Sequence, residues 1–154
     1  MEKLNNPLEK TFKIKPMKEK ESMKEDETES ICTEVAEVVT CLKNASISLH
    51  KLHLKITGVG SYAAHNALSG YDKFHDFSDD LAEGFQGACG ELLSYKEELP
   101  KTLNSVKEAI AFLEYVKEEV TELQSKLTYS EIINQLDIIK EHCNGMKYKL
   151  MFLQ

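Results

Sequence analysis

The amino-acid sequence predicts an all-α protein, an antiparallel four-helix bundle with an irregular N-terminal tail, and three observations carry that reading. Apolar residues recur at intervals of three, four or seven over most of residues 31–153. Alternation of the β type is nearly absent. The breaks between the apolar runs are short enough for antiparallel neighbours. At 154 residues the chain has room for one domain and too little for two ordinary ones. The expected division is a flexible or partner-bound tail over residues 1–29 and the bundle over residues 30–154.

The first helix is read from Ile31, Val35, Val38, Leu42, Leu49, Leu52 and Ile56, one face of a 3.6-residue period running to about Thr57. The acidic residues ahead of Ile31 suit the positive end of the helix dipole. Gly58 and Gly60 end it, because glycine accepts a left-handed cap without steric cost. A second helix starts near Ser61, carries Ala64, Leu68, Tyr71, Phe74, Phe77, Leu81 and Phe85, and ends around Gly87 to Gly90. Within it Gly70 and Gly84 are weak points or sites of close packing. The third helix follows Pro100, a residue favoured in a first turn, with a seam of Leu103, Val106, Ile110, Leu113, Val116, Val120, Leu123 and Leu127. Thr128 with Glu131 reads as a capping box for the fourth helix, which presents Ile132, Leu136, Ile139, Cys143, Met146, Leu150 and Leu153.

Composition narrows the function classes. With 42% hydrophobic and 29% charged residues the chain is ordinary globular material, and no apolar run approaches the roughly 18 residues that span a bilayer. No membrane association is expected. The polar, Lys/Glu-rich start has no apolar signal core, so a cytoplasmic protein is expected. A net charge of -7 argues against nucleic acid as a partner of the folded body, since that binding rests on phosphate neutralisation. Cys32, Cys41, Cys89 and Cys143 show neither a CxxC nor zinc spacing and read as free, buried thiols. The tail holds Pro7, Pro16 and lysines at 3, 10, 13, 15, 18 and 20, followed by an acidic run from Glu21 to Glu29 that offsets them. It has too few apolar groups to repay its own ordering, and Leu8, Phe12, Ile14 and Met17 are candidate anchors for a protein partner.

The chemistry concentrates in residues 49–87. At 100° per residue, His65, Asp72, Asp76, Asp79 and Glu83 fall within about 40° of one line on the second helix. An imidazole and four carboxylates converging from one face are the donors that hard and borderline cations take. The first helix adds His53, three residues after His50. His50, His75 and His142 are read as surface or hydrogen-bonded structural residues. No Gly-x-Ser-x-Gly, phosphate loop or reactive-cysteine setting is visible.

The same stretch resembles Dps, the mini-ferritin of starved bacterial cells, and is most similar to the small Dps-related ferritin-like proteins that bacteriophages encode. His53 and His65 stand twelve residues apart across a turn, Tyr62 takes the place of an aromatic, and Asp79-Asp80-Leu81-Ala82-Glu83 matches an acidic box. The closing YKLMFL, Tyr148 to Leu153, is similar to the family's last helix. The resemblance implies a ferritin-like bundle, a homo-oligomer of two or more copies, and iron held between subunits, histidines His53 and His65 from one and carboxylates Asp79 and Glu83 from the other. It implies at most the ferroxidase activity of that family, in a cell or in a virion. Leu54 replaces the family's tryptophan, Ser69 replaces an acid, and the interval from His65 to Asp79 is one residue shorter, which rotates later residues by about 100° unless a bulge near Gly70 absorbs it. These departures set a second reading beside the first, a non-catalytic structural or interaction protein that uses the bundle as scaffold and the tail to dock.

Overall fold

The computed structural model describes the backbone of residues 25–153 and the side chains of residues 29–153. The tail anchors Leu8, Phe12, Ile14 and Met17 lie outside the described residues. All regular structure among those described is helical: α1 (Glu25–Lys55), α2 (Tyr62–Leu68), a 3-10 turn (Ser69–Tyr71), α3 (Asp72–Cys89), α4 (Val106–Lys126) and α5 (Ser130–Phe152). No helix among them is long and apolar enough to cross a membrane.

α1 begins at Glu25, ahead of the expected Ile31, so Glu25, Asp26, Glu27 and Glu29 lie inside its first turns, where the dipole still favours them. Gly58 and Gly60 take φ of +101° and +88° and turn the chain, as glycine allows. α2 and α3 form one rod, but the 3-10 turn between them tightens the helix. Gly70 explains the tightness: a Cβ there would sit 2.9 Å from Met146 Sδ and 3.2 Å from His142 Cε1. Gly84 is the second close-packed glycine, with Ile132 Cδ1 3.2 Å from the place of its Cβ.

Two caps differ from the sequence reading. The third rod starts at Val106 rather than after Pro100, because Ser105 is its N-cap: Glu108 N–H donates to Ser105 Oγ at 3.1 Å, and Asn104 N–H donates to the Glu108 carboxylate at 2.9 Å. Leu103 remains buried, from the non-helical crossover instead of a helix. The Thr128/Glu131 box does not form; Tyr129 is the residue ahead of α5 and gives no side-chain cap.

Cross-helix pairs fix the direction of each rod. Glu34 near the start of α1 bridges Lys126 at the end of α4 at 2.7 Å, so these two are antiparallel. Phe85 near the end of α3 meets Tyr129 at the start of α5, and Phe74 meets His142, so these are antiparallel as well. With hairpins joining α1 to α2–α3 and α4 to α5, the order is up, down, down, up. Residues 90–105 must then cross the length of the bundle, and they do so alongside α1. Lys96 reaches Glu37 at 3.7 Å, Asn44 Nδ2 donates to Glu98 O at 3.1 Å, and Lys101 Nζ lies 3.8 Å from the Tyr115 ring centroid. Leu93 and Leu103 pin the two ends of this crossover into the core, whose largest buried members are Phe74 and Phe85.

Candidate functional site

At the end of the bundle where α1 turns into α2, four rings pack in one layer. His53, in the last turn of α1, stacks on His65 of α2 with centroids 3.7 Å apart. His50, one turn earlier, stacks on Tyr71 at 4.0 Å with planes 10° apart. His53 also touches the Tyr71 ring at 5.5 Å.

The two central histidines are tied reciprocally. His53 Nδ1 lies 2.8 Å from His65 O, and His65 Nδ1 lies 3.0 Å from His53 O. A carbonyl oxygen only accepts, so both Nδ1 atoms carry the hydrogen. In the neutral rings the lone pair therefore resides on Nε2, the atom free to bind a cation or accept a proton. Both side chains are half-buried and held by backbone, so little ordering remains to be lost when a ligand arrives. His142 serves a different purpose. Its Nε2–H donates to Gly70 O at 2.8 Å while its ring lies edge-on to Phe74 and Phe77, pinning the 3-10 turn from α5.

The carboxylates are placed otherwise. Asp72, Asp76, Asp79 and Glu83 are all exposed on α3. Asp72 accepts from the Lys73 backbone N–H at 2.8 Å, Asp76 lies 3.7 Å from Lys73 Nζ, and Asp79 lies 3.8 Å from His75 Nε2. The 3-10 turn also shifts their phase relative to His65. Three steps at about 120° instead of about 100° add roughly 60° of rotation. His65 thus turns onto α1 while the carboxylate row faces solvent, and the single stripe expected from an unbroken helix is split. Among the described residues no three His, Cys, Asp or Glu side chains gather closely enough to share a metal ion. Within one chain the sequence-predicted residues form a histidine pair and a separate acidic row.

Tyr62, placed by sequence in the aromatic position, is 80% exposed. Tyr71 packs on the histidines instead. Its spacing, three after Leu68 and three before Phe74, pointed to the core, and the hint of its partner was His50, three residues before His53 and so on the same side of α1. Away from this layer, a groove of about 680 Å3 lies between α1, α3 and the crossover, with Val39, Lys43, Ser78, Asp79 and Tyr95 in its lining. Asp79 faces this groove, and burial raises the Tyr95 hydroxyl pKa, with Asp79 adding to the effect.

A family of unknown function, DUF5856, has a model that matches residues 53–150. The chain belongs to that family. No curated protein and no solved structure matches it. The DUF5856 match begins at His53 and takes in His65, Tyr71, His142 and the acidic row, leaving most of α1, with His50, outside.

Proposed function

We propose that this chain is a Dps-like, ferritin-family protein that binds iron(II) between copies of itself. Nε2 of His53 and His65 are the nitrogen donors, Asp79 and Glu83 of a second copy are the carboxylate donors, and Asp76 and Asp72 extend the acidic approach. The observation that carries the reading is the reciprocal Nδ1–H bonding, which orients both rings and reserves both Nε2 atoms. The rod order adds support, since one long crossover is a connection that ferritin-like bundles use. Iron is the substrate. Two iron(II) ions pass one electron each to a peroxide, and the ferric product is sequestered.

Anaerobic iron(II) titration of the full chain followed by peroxide is expected to develop a ferric absorbance that His65→Ala with Glu83→Ala abolishes. Mixing a His53→Ala/His65→Ala variant with an Asp79→Asn/Glu83→Gln variant is expected to restore part of it, because one kind of hybrid interface then holds intact donors from both chains. A wild type that neither binds nor oxidises iron would sink the proposal.

A second reading rests on the solvated, locally paired acidic row and on the exposed Tyr148, Met151, Phe152 and Leu153 at the end of α5. Here the bundle is a structural or interaction scaffold, in a phage particle or its host, and the tail docks on a protein partner. Removing residues 1–24 would then abolish recruitment and leave the bundle's Tm nearly unchanged.

A further inference from the structure

The pairing of α1 with α3 carries a consequence at the end of the bundle opposite the histidines. His50 on α1 stacks on Tyr71, the residue that leads into α3. Cys32 stands eighteen residues before His50, and Cys89 stands eighteen residues after Tyr71. Eighteen residues are five turns of an α-helix and about 27 Å of rise. In an antiparallel pair this returns both cysteines to the same level and to the faces that His50 and Tyr71 occupy. The side chains agree: both residues pack half-buried against the core rather than sealed in it, and Cys89 is near enough to contribute to the raised Cys32 pKa. Cys89 Sγ lies a further 3.6 Å from Glu91 O, at the cap where Gly90 takes φ of +81° and the crossover begins.

The geometry points to an oxidative modification site: a disulfide between Cys32 and Cys89 that fastens the amino-terminal part of α1 to the end of α3 under peroxide. Cys89 Sγ attacks the peroxide O–O bond, becoming a sulfenic acid as one water leaves. Cys32 Sγ then displaces the hydroxyl from that sulfur; the S–S bond forms, the S–O bond breaks, and the thiol proton leaves with the hydroxide as a second water. The two thiols give up two electrons, and one peroxide accepts them. Burial, with Cys89 and Glu91 close by, raises the Cys32 pKa and keeps it more fully a thiol, which disfavours it as the first sulfur to meet peroxide. Cys41 and Cys143 do not compete, because burial pushes each thiol up to about 12.

The test uses the full chain, reduced and then treated with peroxide. The thiols left are alkylated after denaturation and the peptides mapped by mass. The expected product is one linked peptide pair, Cys32 with Cys89, with Cys41 and Cys143 alkylated. Oxidation should raise Tm by roughly 5–10 °C, since the bond closes the long loop between residues 32 and 89. Cys32→Ser and, separately, Cys89→Ala should each remove both the link and the gain, and a thiol reductant should reverse them in the wild type. A pair that includes Cys41 or Cys143, a link only between chains, or over-oxidised Cys89 beside a free Cys32 would overturn the assignment. None of these results depends on iron.

Discussion

The histidine layer at the α1–α2 junction and the acidic row along α3 offer donors of comparable promise, yet only the layer holds its polar atoms in place. Each of His53 and His65 has a ring nitrogen fixed by backbone and a face covered by another ring. Asp76 and Asp79 lie 3.7 and 3.8 Å from partners on their own helix, with side chains 61% and 60% exposed. Position is stored where burial and backbone carbonyls restrict a side chain. Where water competes, charge is present without a fixed direction. A site assembled from both regions has one half built in advance and one half that a second copy must organise.

The largest effect should come from beneath the layer. Phe74 is fully buried and its ring meets His142, which holds the 3-10 turn. Phe74→Ala is expected to cost about 3–5 kcal/mol in denaturant unfolding, the range for a large aromatic removed from a core. It should also broaden the His53 and His65 ring resonances. A loss under about 1 kcal/mol would mean that the layer does not depend on the core below it.

Histidines in the two settings make the next comparison. His53→Ala removes a ring stack and leaves His65 O without its donor, for an expected loss of about 1–2 kcal/mol. His75→Ala on the exposed row should leave stability within about 0.5 kcal/mol. Equal losses would erase the distinction between a built region and a solvated one.

Caps provide a third contrast, and they also measure what the sequence could tell. Ser105/Glu108 and Thr128/Glu131 share one motif, but Ser105 bonds to the N–H of Glu108 whereas Tyr129, not Thr128, precedes α5. Ser105→Ala should cost about 1 kcal/mol, and Thr128→Ala close to nothing. The four rods were legible because an apolar period records which face is buried. The start of α4 was not, because Leu103 continues the same period from a non-helical segment, and burial alone cannot say which backbone carries it. The 3-10 turn was hidden for another reason: it answers to Met146 and His142, more than seventy residues along the chain from Gly70. That His53 and His65 belong together was implied by the Dps resemblance, which sets them twelve residues apart across the turn, and not by the apolar period. That Tyr71 rather than Tyr62 would pack there was not, since that choice depends on how tightly the rod winds after Leu68.

Two glutamates of α4 extend the contrast to pH. Lys147 donates to Glu114 and, with Lys117 3.8 Å away, holds its pKa below the ordinary 4.5. A depressed carboxylate pKa adds stability that is present above the unfolded value and lost as pH falls through the folded one. Glu119 runs the other way, raised by burial and then by Glu122 and Glu37. Its charged form is the costly one, so that cost fades as pH falls through the raised value. From pH 7 to 3, Glu114→Gln should therefore flatten the acid-side fall in Tm. Glu119→Gln should raise Tm at pH 7 by a degree or two and steepen the fall relative to wild type.

A small stability effect is also expected of the acidic row, which separates the two functional readings most sharply. Asp79→Asn with Glu83→Gln replaces exposed side chains by isosteres, so Tm should move by less than about 3 °C. If the row supplies donors to the histidines of a second copy, the same double variant loses iron binding while keeping its fold. His53 and His65 would still present their Nε2 atoms, but with no anionic oxygen to complete the shell or offset the cation's charge. If the row only keeps a scaffold in water, iron uptake is the same in both proteins. The comparison requires a pair of measurements, Tm and anaerobic iron binding, on one preparation. A variant that loses both would place the row in the fold, where its exposure says it does not belong.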